Sequence, residues 1–239
     1  MKKNFSVILQ QTSHPGNIGS TARAMKTMDI HDLRLINTTD PEQKEAYAMA
    51  SGADDILYKA KKYDNLASGI ADLDLILGLS ARKRSQYRHY IYSNELVDLL
   101  NKKKDKTKVG LLFGNEQSGL DNEALSHCHY QIIVPTNNTF SSLNIASCVQ
   151  LICYLCHTYQ LQFQNQENNS SITPITQNKY EALTNMLITI IKASSMYNPQ
   201  TIAQTTQRLR QIIQHSDLNN DDIDLIMGTL KQIKKIQSS

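Results

Sequence analysis

Through the first 160 residues, short unbroken apolar runs alternate with stretches in which apolar residues recur every three or four positions. The runs at 5–10, 33–36, 73–79, 109–113 and 131–134 are rich in Val, Ile and Leu and have the length of strands. The stretches at 18–28, 65–70, 94–100 and 143–159 carry helical spacing. This alternation predicts an α/β domain with a mainly parallel sheet. Ligands of such sheets sit beyond the carboxyl ends of the strands, so binding residues are expected in the segments that follow each strand.

From 161 to 176 the pattern gives way to Gln, Asn, Ser and Thr, a composition that reads as a polar linker. Three further helices are predicted at 180–193, 201–214 and 221–236, with Asn220 or Asp221 as the candidate cap of the last. The expected organisation is a main domain over 1–160, a linker over 161–176 and a helical extension over 177–239. A helical piece of that size buries little core on its own and is expected to pack on another surface.

Composition narrows the class. With 239 residues and 40% hydrophobic content the chain can build a full core. No window approaches the roughly 20 apolar residues of a membrane span, and Val7-Ile8-Leu9 is too short for an export signal, so a soluble cytoplasmic protein is expected. The net charge of +3 is small but uneven: from Arg82 to Lys108, nine Lys/Arg stand against three Asp/Glu, so that segment carries +6 and the remainder −3. A phosphate-binding patch and a merely solvated helix end both fit that run.

Two tempting motifs do not hold. Cys153-Tyr154-Leu155-Cys156-His157 has the spacing of covalent haem attachment, and His127, Cys128 and His129 suggest zinc. Yet Cys148, Cys153 and Cys156 lie in an apolar helical run where cysteine acts as a small hydrophobe, so reduced thiols and no metal are expected. Gly16-Asn17-Ile18-Gly19 opens a helix after the first strand like a dinucleotide fingerprint, but the third glycine is missing and Asn37 stands where the acidic partner should be. A nicotinamide dehydrogenase is thereby disfavoured.

Three segments are more informative. Each follows a strand and is rich in glycine or small polar residues: Thr12-Ser13-His14-Pro15-Gly16-Asn17-Ile18-Gly19 continuing to Arg23, Gly114-Asn115-Glu116-Gln117-Ser118-Gly119, and Val134-Pro135-Thr136 continued by Ser141-Ser142-Leu143-Asn144. In order and wording they resemble the three motifs of the SpoU branch of the SPOUT RNA methyltransferases. Gly78-Leu79-Ser80-Ala81-Arg82-Lys83-Arg84 is similar to a bacterial branch that methylates the ribose 2′-hydroxyl of tRNA in the anticodon loop. The similarity spans 5 to about 160 and, more weakly, the tail around Arg208-Leu209-Arg210.

That resemblance implies an α/β SPOUT fold whose C-terminal part forms a trefoil knot, S-adenosylmethionine as cofactor, tRNA as partner and a homodimer that completes the site. It implies methylation of the cytidine or uridine at anticodon-loop position 32; the alternatives are another tRNA or rRNA ribose, or an RNA-binding relative without activity. Leu79, Ser80, Ala81, Gly114, Val134, Ser141, Ser142 and Leu143 map to cofactor contacts, Arg23 and Ser142 to catalysis. Arg82 and Arg84 follow the cofactor loop and are candidates for tRNA phosphate contact. The residues make chemical sense. Glycine at Gly114 lets main chain approach a ligand, Val134 offers an apolar wall, and a helix start near Ser142 offers free N–H groups. A guanidinium holds its proton too firmly to be a general base, so Arg23 is expected to grip a phosphate and orient the hydroxyl. Glu116 and Asn144 are expected to support a loop and a helix start. Five of the nine glycines, Gly16, Gly19, Gly78, Gly114 and Gly119, fall in these segments.

Overall fold

The computed structural model describes residues 3–80, 89–137, 139–140, 142–163, 175–194, 198–216 and 218–237. Ala81, Arg82, Lys83, Arg84 and Ser141 lie outside the described residues. The chain divides into two compact units, 1–170 and 171–239.

The first unit is built on a seven-stranded sheet with every pairing parallel. Its strands are β1 (Asn4–Gln10), β2 (Asp32–Ile36), β3 (Lys61–Tyr63), β4 (Leu75–Ser80), β5 (Tyr90–Tyr92), β6 (Lys108–Phe113) and β7 (Tyr130–Ile133), in the order β3-β2-β1-β6-β4-β7-β5. Central strands are apolar throughout because helices cover both faces. Val7, Leu9, Leu111 and Leu77 pack to one side, while Ile8, Leu112 and Ile76 pack to the other. The helices are α1 (Pro15–Thr27), α2 (Lys44–Ala50), α3 (Asp54–Tyr58), α4 (Leu66–Ile70), α5 (Leu96–Lys102), α6 (Asn122–Ser126) and α7 (Ile145–Phe163).

The five expected strands and four expected helices of this unit are present; β3, β5, α2, α3 and α6 had not been expected. The two added strands are three-residue edge strands, Lys61-Lys62-Tyr63 and Tyr90-Ile91-Tyr92, whose outer residues are exposed and so carry no apolar run. The short helices span one or two turns, too few for a period to show; α6 starts from a local cap, the side chain of Asp121 accepting from the Ala124 N–H at 2.7 Å. Helix α7 continues to Phe163, three residues into the segment read as linker. Its end is tied down by Lys3, a buried amine that donates to Tyr159 Oη at 2.6 Å and to the Lys103 carbonyl at 3.0 Å. Burial pushes the Lys3 amine down to about 8, against the opposing pull of Asp105.

The second unit holds α8 (Gln177–Ala193), α9 (Ile202–His215) and α10 (Asn220–Gln237) around Ile175, Tyr180, Leu183, Ile213 and Ile223. The cap of α10 sits one residue before the expected pair. Asn219 Oδ1 accepts from the N–H groups of Asp221 and Asp222 at 2.8 and 3.0 Å, while Asp222 Oδ2 accepts from the Asn219 N–H at 2.8 Å. The four cysteines are free, and burial pushes the Cys148 and Cys153 thiols up to about 12. Thiols held protonated in this way are poor nucleophiles and metal ligands.

Three of the glycines in the motif segments are explained by packing within the fold. A Cβ on Gly19 would overlap the backbone carbonyl of Ala46, and one on Gly16 would press on Glu45, so these two glycines let α2 lie against α1. A Cβ on Gly78 would sit 2.6 Å from Cys128 Sγ, which makes it a packing position between β4 and the end of α6. Gly19→Ala is therefore expected to destabilise the protein by about 1–3 kcal/mol or more, as an overpacked core does. Gly228→Ala, in the exposed interior of α10 with nothing near its Cβ position, is expected to stabilise its own unit by about 1 kcal/mol. A denaturant midpoint that rises in Gly19→Ala would contradict the first reading, and one that falls in Gly228→Ala would contradict the second.

Candidate active site

Strands far apart in sequence become neighbours in the sheet. β1, β6, β4 and β7 lie side by side, with Leu9 opposite Phe113, Gly78 opposite Leu112 and Ser80 opposite Ile133. The segments that follow their carboxyl ends are the motif segments, so Leu79 and Ser80, Gly114 and Val134 end three adjacent strands. Leu79 is buried, and Ser80, Gly114 and Val134 are half-buried. Ser142 and Leu143 are exposed just ahead of α7. This edge is where a ligand of an open parallel sheet is held.

The loop after β6 is a tight one. Asn115 and Gly119 form an isolated antiparallel bridge, the Gly119 N–H donates to the Asn115 carbonyl at 2.8 Å, and Gly119 has φ +67°. A Cβ on Gly114 would overlap the Gly119 backbone. Gly114 is thus required by closure of its own loop, a demand more immediate than close approach to a ligand.

That closure aims Glu116 at the head of α1. Its Oε1 accepts from Asn17 Nδ2 at 3.0 Å and from the His14 N–H at 3.3 Å; its Oε2 accepts from the Ser13 N–H and hydroxyl, both at 3.2 Å. Asn17 Oδ1 in turn accepts from Asn144 Nδ2 at 3.0 Å. Asn144 Oδ1 caps α7, accepting from the Ala146 N–H at 2.9 Å. Asn115 Nδ2 adds a bond to the Gln11 carbonyl at 2.8 Å. One polar chain, Glu116–Asn17–Asn144, therefore joins the three motif loops. Burial would raise the Glu116 carboxyl, but its hydrogen bonds to Asn17 and to the backbones of Glu116, Ser13 and His14 outweigh it and hold the pKa below the ordinary value.

Glu116 and Asn144 hold a loop and a helix start, and Asn144, rather than a serine, is the cap of α7. The central member, Asn17, and the donors Ser13 and His14 had been given no role from the sequence. Asn17 follows proline and glycine at the start of a helix, a visible position that does not reveal a partner 99 residues away. Arg23 is not drawn into this cluster. It lies six residues beyond Asn17, about 9 Å further along α1, exposed and with no hydrogen bond or ion pair among the described residues.

The comparisons with known proteins agree with this arrangement. The model of the SpoU rRNA methylase family matches residues 4–154, and the chain belongs to that family. It is 31% identical over 240 residues to the tRNA (cytidine/uridine-2′-O-)-methyltransferase TrmJ of Sodalis glossinidius, covering 99% of this chain and 94% of that one. The crystal structure of TrmJ from Z. mobilis ZM4 superposes with a TM-score of 0.83 at 27% identity, covering 96% of this chain and 98% of the other. A probable methylase family protein from Haemophilus influenzae Rd KW20 superposes at 0.66 with 30% identity, over 98% and 97% of the two chains.

Asn17→Ala should cost about 1 kcal/mol of stability by removing a donor from a carboxylate. Glu116→Gln should also destabilise, in a pH-dependent way. A carboxyl whose folded pKa is depressed contributes stability above its unfolded pKa of about 4 and loses it as pH falls through the folded value. The gap between wild type and Glu116→Gln should accordingly be widest near neutrality and narrow in acid below pH ~4. Urea midpoints taken from pH 7 downward test this, and a gap that widens in acid would refute it.

Proposed function

We propose that this protein transfers a methyl group from S-adenosylmethionine to the 2′-hydroxyl of a tRNA ribose, at the cytidine or uridine of anticodon-loop position 32. The observation that carries the reading is the Glu116–Asn17–Asn144 chain, which fixes three motif loops at the carboxyl edge of adjacent strands in a member of the SpoU family. The tRNA (cytidine/uridine-2′-O-)-methyltransferase activity of the TrmJ relatives, matched over almost their whole length, supports tRNA as the substrate.

The residues present suit the cofactor. Leu79, Val134 and Leu143 provide an apolar surface for an adenine, and Ser80, Ser142 and the main chain at Gly114 provide polar groups for a ribose and a carboxylate. Bound there, S-adenosylmethionine supplies an electrophilic sulfonium methyl. The task left to the protein is to orient the ribose oxygen in line with it and to take away the hydroxyl proton. Ser142, exposed just ahead of α7, relays that proton, its oxygen taking it as its own hydroxyl proton passes to an RNA phosphate.

Arg23 grips an RNA phosphate with its planar fork and so orients the 2′-hydroxyl. Because it stands unpaired on α1 and away from its own loop, it serves the site of a second copy of the chain, and the homodimer is part of this reading. The outer face of α7 supports such an assembly, with Leu151 and Tyr154 46% and 54% exposed. The trefoil knot also belongs here, supported by membership of the SpoU family. The site of action is the cytoplasm, where tRNA is processed; no described helix is long and apolar enough to cross a membrane. Arg82 and Arg84 hold tRNA phosphates, with Arg208 and Arg210 of the second unit as further contacts.

Mass-spectrometric mapping of tRNA from cells with and without the gene should show loss of one 2′-O-methyl group at position 32. A loss elsewhere would move the target, and no loss from any RNA would favour a binder without activity. Arg23→Lys should keep the charge yet lose most activity, and methylation at the wild-type rate would rule out the phosphate fork. Replacing Arg82 and Arg84 by alanine should flatten the slope of log K against log salt by roughly 1.5–2 while sparing cofactor affinity; an unchanged slope would remove these residues from the interface.

A further inference from the structure

Strand β5 closes the sheet at one edge, paired only to β7 through Tyr90–Gln131, Ile91–Ile132 and Tyr92–Ile133. Successive residues of a strand point to opposite faces, so Tyr90 and Tyr92 share a face while Ile91 turns into the core. The two tyrosines are 39% and 37% exposed, with ring centroids 6.1 Å apart and planes at 82°. Exposed edge strands are ordinarily blunted by charge. This one instead presents two aromatic rings at its rim.

Three features converge on what such a surface would hold. First, Tyr92 is in register with Ile133, the residue before Val134, so the ring at the carboxyl end of β5 adjoins the strand end that leads into the third motif. Second, the segment that leads into β5 carries Arg82, Lys83, Arg84 and Arg88 within seven residues, a run of charge that complements a phosphate backbone. Third, the rings stand at 82° to each other, so one flat stack cannot lie on both, and the pair suits an unstacked base better than a continuous stack or a duplex. Aromatic rings beside basic residues are the usual means of holding single-stranded nucleic acid.

We infer that Tyr90 and Tyr92 form an aromatic corner that stacks one unpaired base of the RNA substrate, holding the loop while the neighbouring site acts on a ribose. This deepens the proposed function and rests on its reading of RNA as substrate. The corner is sequence-tolerant, because every base has a π face. Its contribution is to discriminate an open loop from a paired stem.

The test uses the full-length protein with tRNA and with an isolated anticodon stem-loop. Replacing both tyrosines by alanine should raise the dissociation constant of either RNA by roughly 5- to 150-fold. Replacing both by phenylalanine should leave it within about twofold, since stacking needs the ring and not the hydroxyl. Cofactor affinity should be unchanged in both. The chain contains no tryptophan, so Tyr92→Trp and Tyr90→Trp each install a single fluorophore, and at least one should be quenched by a loop-bearing RNA and not by a blunt duplex. Unchanged RNA affinity in the alanine variant, equal loss in the phenylalanine variant, parallel loss of cofactor affinity, or quenching by neither RNA would each overturn the inference. If the wild-type protein itself neither bound nor methylated RNA, the functional reading would fail first, before any variant is compared.

Discussion

A carboxylate partly withdrawn from bulk water keeps its charge more easily when it collects donors, and half-buried Glu116 collects them from a segment about 100 residues away. Much of the site depends on that set of donors. β1 and β6 are neighbours in the sheet, so the loops after them meet; the meeting becomes a fixed geometry because Glu116 takes the Ser13 and His14 N–H groups and the Asn17 amide. Asn17 is then held with its oxygen toward Asn144, and Asn144 is held where it caps α7. Each amide in the chain uses both ends, so none can turn over without breaking two contacts. The tight turn bounded by Gly114 and Gly119 is what presents Glu116 to these donors. A loop one residue longer would move the carboxylate and release the set.

The opposite edge of the sheet is organised by the same rule with the sign reversed. Arg34 is almost fully buried, and its guanidinium is bound by Asp32 at 2.9 Å, Asp72 at 2.6 Å and the Gly69 carbonyl at 2.8 Å. This cation fastens the start of β2 to the turn after α4, as Lys3 fastens β1 to the end of α7. At the amino edge these two cations are satisfied internally, by carboxylates for Arg34 and by a hydroxyl and a carbonyl for Lys3. At the carboxyl edge the polar chain stops at exposed residues, Ser142 and Leu143, which remain available to a ligand.

What could be read from the sequence follows from burial. Central strands such as β1 and β6, covered on both faces, write unbroken apolar runs, and long helices such as α1 and α7 write a period. Edge strands of three residues, and helices of one or two turns, write neither, which is why β3, β5, α2, α3 and α6 were illegible. The site was visible as three ordered motifs, because wording survives where geometry is not yet known. The partners of Glu116 were hidden, since a hydrogen bond across 100 residues of chain leaves no periodic trace. The packing roles of the glycines were hidden too: Gly16 and Gly19 serve the contact of α1 with α2, and Gly78 the packing of β4 under Cys128.

The charge distribution completes this division of labour. A net charge of +3 is too small to hold a polyanion by bulk attraction, and a strongly basic protein would pay for tight capture with slow release and with binding to any RNA. Here the positive charge is concentrated between Arg82 and Lys108, flanking the edge strand β5. Phosphate contacts position a nucleic acid and carry no sequence information, so selection of one nucleotide has to come from shape and from contacts with bases. A local basic run beside a rigid polar site suits that requirement better than a basic surface. The polar chain through Glu116 supplies the rigid part, since each of its amides uses both ends.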